Sequence, residues 1–156
     1  VSPDKIDLPD QKFHMLGYMI GTADLIAQMS DRCYLEKCRD RLYPEFVLGG
    51  LTETVDARGQ KQQIFTSPED LLTKTPLFYQ NEVQKRLNNI FKGVYRYAET
   101  HFGGDNLYLQ ALQQNITHIQ ALIEKGNIDQ LRRLPPENSR SQRIMQDIGL
   151  TKRHLA

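Results

Sequence analysis

The sequence predicts an all-α protein, a helical bundle of about five to seven helices. Three observations predict it. Apolar residues return at three- and four-residue steps through most of the chain. Capping residues followed by proline or acids open those segments, and paired glycines close them. No run alternates apolar and polar residues long enough to make a confident strand.

Residues 1–10, VSPDKIDLPD, read as an extended lead-in whose last residue, Asp10, caps a helix from about Gln11 to Ser30. A second helix is expected from Arg32 to Tyr43, stopping before Pro44. Leu35, Cys38 and Leu42 give it a narrow apolar stripe, and Arg32, Glu36, Lys37, Arg39, Asp40 and Arg41 a wet charged face. Residues 49–66 carry glycines and the polar run ARGQKQQ, which suits a loop or small hairpin. Ser67-Pro68-Glu69-Asp70 starts a helix of about two turns, and Thr75-Pro76 is expected to start the next in the same way. That next helix should run to Phe102, with Val83, Leu87, Ile90, Phe91, Val94 and Ala98 inward and Gly103-Gly104 as its stop. Asp105 is expected to cap its antiparallel successor, in which Leu109, Leu112, Ile116, Ile119 and Ile123 mark one face up to Gly126. Ile128, Leu131 and Leu134 suggest a short helix before Pro135-Pro136. Ser139 should cap a last one with Ile144, Met145 and Ile148.

A length of 156 residues, 25% charged and 39% hydrophobic, suits a single helical domain over residues 1–156. The net charge of +1 calls for neither a nucleic-acid nor a membrane partner. Residues 135–156 form a mildly basic tail, read as solvated surface. Cys33 and Cys38 point in different directions on a helix, so no bridge between them is expected. No signal peptide or membrane span is visible, and a cytoplasmic setting is expected. The chain starts at Val1 rather than Met, which fits a fragment, a protein cleaved from a tag, or a protein whose earlier part is missing here.

The stretch FHMLGYMIGTADLIAQM, Phe13 to Met29, holds one formally charged residue, Asp24. On a helical wheel its apolar side chains form no single stripe. Leu16, Ile20 and Ala27 lie on one side and Tyr18, Leu25 and Met29 on another, with Met15, Met19, Ala23 and Ile26 between. Such a helix is expected to be buried, and Asp24 with it. A buried carboxylate must be neutralised, paired or bound to a cation, because desolvating it alone costs roughly several kcal/mol. Gly17 leaves room beside Asp24, and Gln28 offers it a hydrogen bond. Two readings stay open: an Arg or Lys from another helix pairs with Asp24, or Asp24 serves a metal or catalytic site. The histidines His14, His101, His118 and His154 have no metal-cluster spacing, and no phosphate loop or nucleophile elbow is present.

Residues 22–37, TADLIAQMSDRCYLEK, add a resemblance. Ala-Asp in a helix, then Asp-Arg-x-Tyr seven residues on, resembles the end of the catalytic core in the HD-domain metal-dependent phosphohydrolase superfamily. DLLTKTPLFYQNEVQKRLNNIFKGVYRYAETHFG and NLYLQALQQNITHIQALI look like the helical continuation of a bacterial subgroup, so the likeness spans Phe13 to Ile123. It implies that Asp24 is the last metal ligand, supported by Gln28 and Asp31. It also implies that Arg32, Tyr34 and Lys37 meet the phosphate of a small substrate. The cofactor implied is a divalent metal ion, held only if upstream ligands join Asp24, since this sequence contains no His-Asp dipeptide. The resemblance thus implies hydrolysis of a phosphate ester, nucleotides included, by the C-terminal part of a larger HD-type domain. The upstream segment of the same protein, or a second copy, is the implied partner. The alternative is a non-catalytic helical regulatory or protein-interaction module on the same scaffold.

Overall fold

The computed structural model describes Ile6, Asp7, residues 9–133, Asp147 and Gly149. Its architecture is all-α, with one two-stranded sheet. The chain divides into two compact units, residues 1–31 with 76–118 and residues 32–75 with 119–156. The expected helix after Ser139 and most of the basic tail lie outside the described residues.

In the first unit, α1 spans Gln11–Ser30, and Asp10 caps it by accepting a hydrogen bond from the Lys12 N–H at 2.9 Å. Its inward side is formed by Thr22, Ile26 and Met29. The Phe91 ring lies against Gly21 so closely that a Cβ there would sit 2.6 Å from the ring's Cζ. The other end of α1 is tied by Asn115, a buried amide. Its Nδ2 donates to the carbonyl oxygens of Met29 and Asp31, both at 2.8 Å. Those carbonyls belong to the helix C-terminus, where no intrahelical donor remains.

Three helix boundaries between Ser67 and Leu107 differ from expectation. Pro76 starts nothing: α4 runs Pro68–Phe78 straight through it, with the buried Thr75 hydroxyl donating to the Leu71 carbonyl at 3.0 Å. Wide π turns at Tyr79–Val83 and Arg86–Ile90 follow. The helical run then stops at Lys92-Gly93, short of Phe102. Both residues are left-handed, with φ of 54° and 69°, and the Gly93 N–H closes the end by donating to the Leu87 carbonyl at 2.8 Å. A helix cannot pass through two left-handed residues. The chain resumes as a 3-10 turn, Val94–Arg96, and then α5, Tyr97–Phe102, which ends at Gly103 as expected. Asn106, rather than Asp105, caps α6 (Leu107–Glu124). Its Oδ1 accepts from the Leu109 N–H at 3.2 Å while its amide donates to the Tyr95 carbonyl at 2.9 Å.

In the second unit, α2 (Tyr34–Lys37), a π turn (Cys38–Leu42) and α3 (Tyr43–Leu48) form one helical run that Pro44 does not stop. Pro44 falls in the first turn of α3, where a missing N–H costs little. The core comprises Leu35, Cys38, Tyr43, Leu71, Leu72, Ile119, Leu122 and Leu131. Strands β1 (Glu53–Val55) and β2 (Lys61–Gln63) pair antiparallel, Glu53 opposite Gln63, in an exposed hairpin. Asp56 shapes its tip by accepting from the Arg58 and Gln60 N–H groups, both at 2.8 Å. Ser67 caps α4 as expected, its hydroxyl accepting from the Asp70 N–H at 3.1 Å. Asp70 accepts in return from the Thr66 N–H at 2.9 Å, a reciprocal cap.

Gly21→Ala forces a methyl group into the Phe91 ring. It should cost about 1–3 kcal/mol in urea unfolding, the usual range for overpacking. Combined with Phe91→Leu it should cost less than the sum of the single changes, because the two side chains compete for one space.

Candidate functional site

Asp24 does not lie inside the protein as the sequence led us to expect. It is exposed on the outward side of α1, and its Oδ1 accepts a hydrogen bond from Gln28 Nε2 at 2.7 Å. Around it on that side stand Phe13, Leu16 and Ile20, which are 51%, 53% and 70% exposed, with Gly17, Ala23 and Ala27 between them. The reason is geometric. Apolar residues surround α1, but the first unit provides packing only for the side bearing Thr22, Ile26 and Met29. The expected support from Gln28 is present.

Asp31 closes α1, its N–H donating to the Gln28 carbonyl at 3.3 Å and its carbonyl accepting from Asn115. The division between the units falls immediately after Asp31, so Arg32, Tyr34 and Lys37 belong to the second unit. Arg32 is exposed, and its carbonyl accepts from the Arg133 guanidinium. Lys37 is half-buried. The Tyr34 ring packs against the core and its hydroxyl donates to the Cys38 sulfur. Burial first, and then Cys38 beside it, push the Tyr34 hydroxyl well above the usual tyrosine range. That hydroxyl is held neutral and spends its proton on the Cys38 sulfur.

Among the described residues no group of three or more His, Cys, Asp or Glu side chains is gathered to hold a metal ion. His14 is half-buried with its ring tilted toward Tyr18, centroids 6.4 Å apart. His101 stands edge-on to Phe102 at 5.1 Å and His118 is exposed; His154 lies outside the described residues. The described residues around Asp24 supply one carboxylate and do not by themselves fit a metal ion. No helix among the described residues is long and apolar enough to cross a membrane. Compared with known proteins, the chain matches no family model, no curated protein and no solved structure.

Two working residues escaped the sequence reading. Glu36 belongs not to a wet face but to the interior, 3% exposed, with Oε1 accepting from the Arg133 N–H at 3.0 Å. Nothing local marks it among its five charged neighbours, Arg32, Lys37, Arg39, Asp40 and Arg41. Asn115 did carry a signal. It sits three residues after Leu112 and four before Ile119, a polar side chain on the apolar face of α6.

Cys33 and Cys38 are free, buried thiols. Burial, opposed by the Tyr34 hydrogen bond and reinforced by Glu36, pushes the Cys38 thiol up to about 12. At pH 8 Cys38 should therefore resist iodoacetamide in the folded protein and react once guanidinium unfolds it, as mass spectrometry of its peptide would show. Between the ordinary thiol value of about 8.5 and the raised one, the folded state holds the proton that the unfolded state has lost. Stability therefore falls as pH rises through that window.

Proposed function

We propose that this chain is part of an HD-type metal-dependent phosphohydrolase acting on a phosphate ester, a nucleotide being one substrate class that fits. One observation carries the reading: an anion, Asp24, stands in the middle of an outward apolar helix face. Exposing Phe13, Leu16 and Ile20 together leaves apolar area in water at roughly 25 cal/mol per Å². A segment that covers them also removes water from Asp24. That desolvation costs several kcal/mol unless the segment brings positive charge with it. A metal ion on histidine ligands from that segment meets the requirement. It matches the family pattern that residues 22–37 resemble, in which the first ligands precede the closing aspartate. Among the described residues this chain contributes one carboxylate to such a ligand set.

A second reading has an observation of its own. The Tyr34 hydroxyl is given to Cys38, which leaves a residue of the resembling motif without a substrate role. In a non-catalytic interaction module, the covering partner would bring an Arg or Lys to Asp24 instead of a metal.

The test uses the longer protein that includes the upstream residues of the parent gene. Metal content and phosphate-ester hydrolysis are measured with and without Asp24→Ala. Both should be present in the parent. Both should fall by more than the roughly 10–100-fold that loss of an outer hydrogen-bonding partner produces. Metal and activity retained by the variant would contradict the phosphohydrolase reading. A metal-free parent whose partner binding falls on the same substitution would establish the module reading.

A further inference from the structure

After α6 the chain turns at Gly126, makes a 3-10 turn at Ile128–Gln130, and returns along α2 as residues 131–133. This returning piece forms no helix or strand. The Leu131 side chain is 1% exposed in the core of the second unit, and its carbonyl accepts from Arg39 Nη1 at 3.4 Å. The Arg133 N–H donates to the buried Glu36 carboxylate at 3.0 Å, and its guanidinium donates to the Arg32 carbonyl.

We infer that residues 131–133 are a separable strap latched by Glu36, a local switch built into the second unit. Two terms oppose each other across this contact. Docking the strap buries Leu131, which favours the closed state. Docking also takes water from the Glu36 carboxylate and returns a backbone N–H in its place. A carboxylate regains its hydration when the strap leaves, which favours the open state. Among the described residues, the strap's backbone N–H bonds are those of Leu131 to the Ile128 carbonyl and of Arg133 to Glu36, and no ladder of successive bonds holds it cooperatively. It therefore belongs to the low-stability end of the structure, where segments open without global unfolding. Opening uncovers Glu36 beside Leu35 and Cys38, an acid on an apolar floor.

Amide hydrogen exchange on the full chain tests this. In the parent, the Arg133 amide should be protected, yet exchange faster than the Ile119 amide. Glu36→Ala should speed Arg133 exchange by between about tenfold and a hundredfold, the range for a lost hydrogen bond to a charged group, and leave Ile119 unchanged. Glu36→Gln keeps an acceptor and should fall between the two. If Glu36→Ala does not fold, Arg133→Pro removes the donor from the exposed side. It should speed exchange at Leu131 and Arg132 alone. An unprotected Arg133 amide in the parent would overturn the inference, as would equal acceleration at Ile119 in a folded variant or no acceleration anywhere.

Discussion

The structure turns on a mismatch in α1: apolar side chains lie on nearly every side of the helix, and the first unit packs only one of them. The packed side is tightly made. Phe91 lies against the bare backbone of Gly21, and the Asn115 amide ties off two carbonyls at the helix end. Two hydrogen bonds from one buried amide are each worth about 1 kcal/mol net, but leaving those acceptors unpaired costs more. So α1 is held firmly in place while its other side, with Phe13, Leu16, Ile20 and Asp24, stays in water.

That asymmetry gives the exposed carboxylate its significance. In water Asp24 needs nothing beyond solvent and the Gln28 amide. Once its apolar neighbours are covered, it must be neutralised or given a positive partner. The requirement comes from the helix itself, and it holds whether the cation is a metal ion or a basic side chain. The proposed phosphohydrolase reading makes that cation a metal ion, and the alternative makes it a basic side chain.

Much of the fold was legible in the sequence because its signals are local. The caps at Asp10 and Ser67 and the stop at Gly103 depend on residues within one turn. The errors have a common origin. Pro44 and Pro76 read as breaks, yet each lies within a helical run that continues past it. The real break, at Lys92, uses a left-handed residue that is not glycine, which composition does not announce. Burial was the harder inference. An apolar helix says what it prefers to touch, not whether a partner is at hand, so α1 and Asp24 were placed inside. Glu36 was placed outside for the opposite reason: its partner, the Arg133 N–H, lies 97 residues away in sequence.

Covalent footprinting tests the central claim most directly. Carbodiimide labelling of Asp24 and hydroxyl-radical oxidation of Phe13, Leu16 and Ile20 are compared between this chain and the longer protein that the proposed function calls for. All four positions should label readily in the chain alone and become protected together in the longer protein. Equal labelling in both would show that the outward face of α1 stays bare, and the account built on its coverage would be wrong.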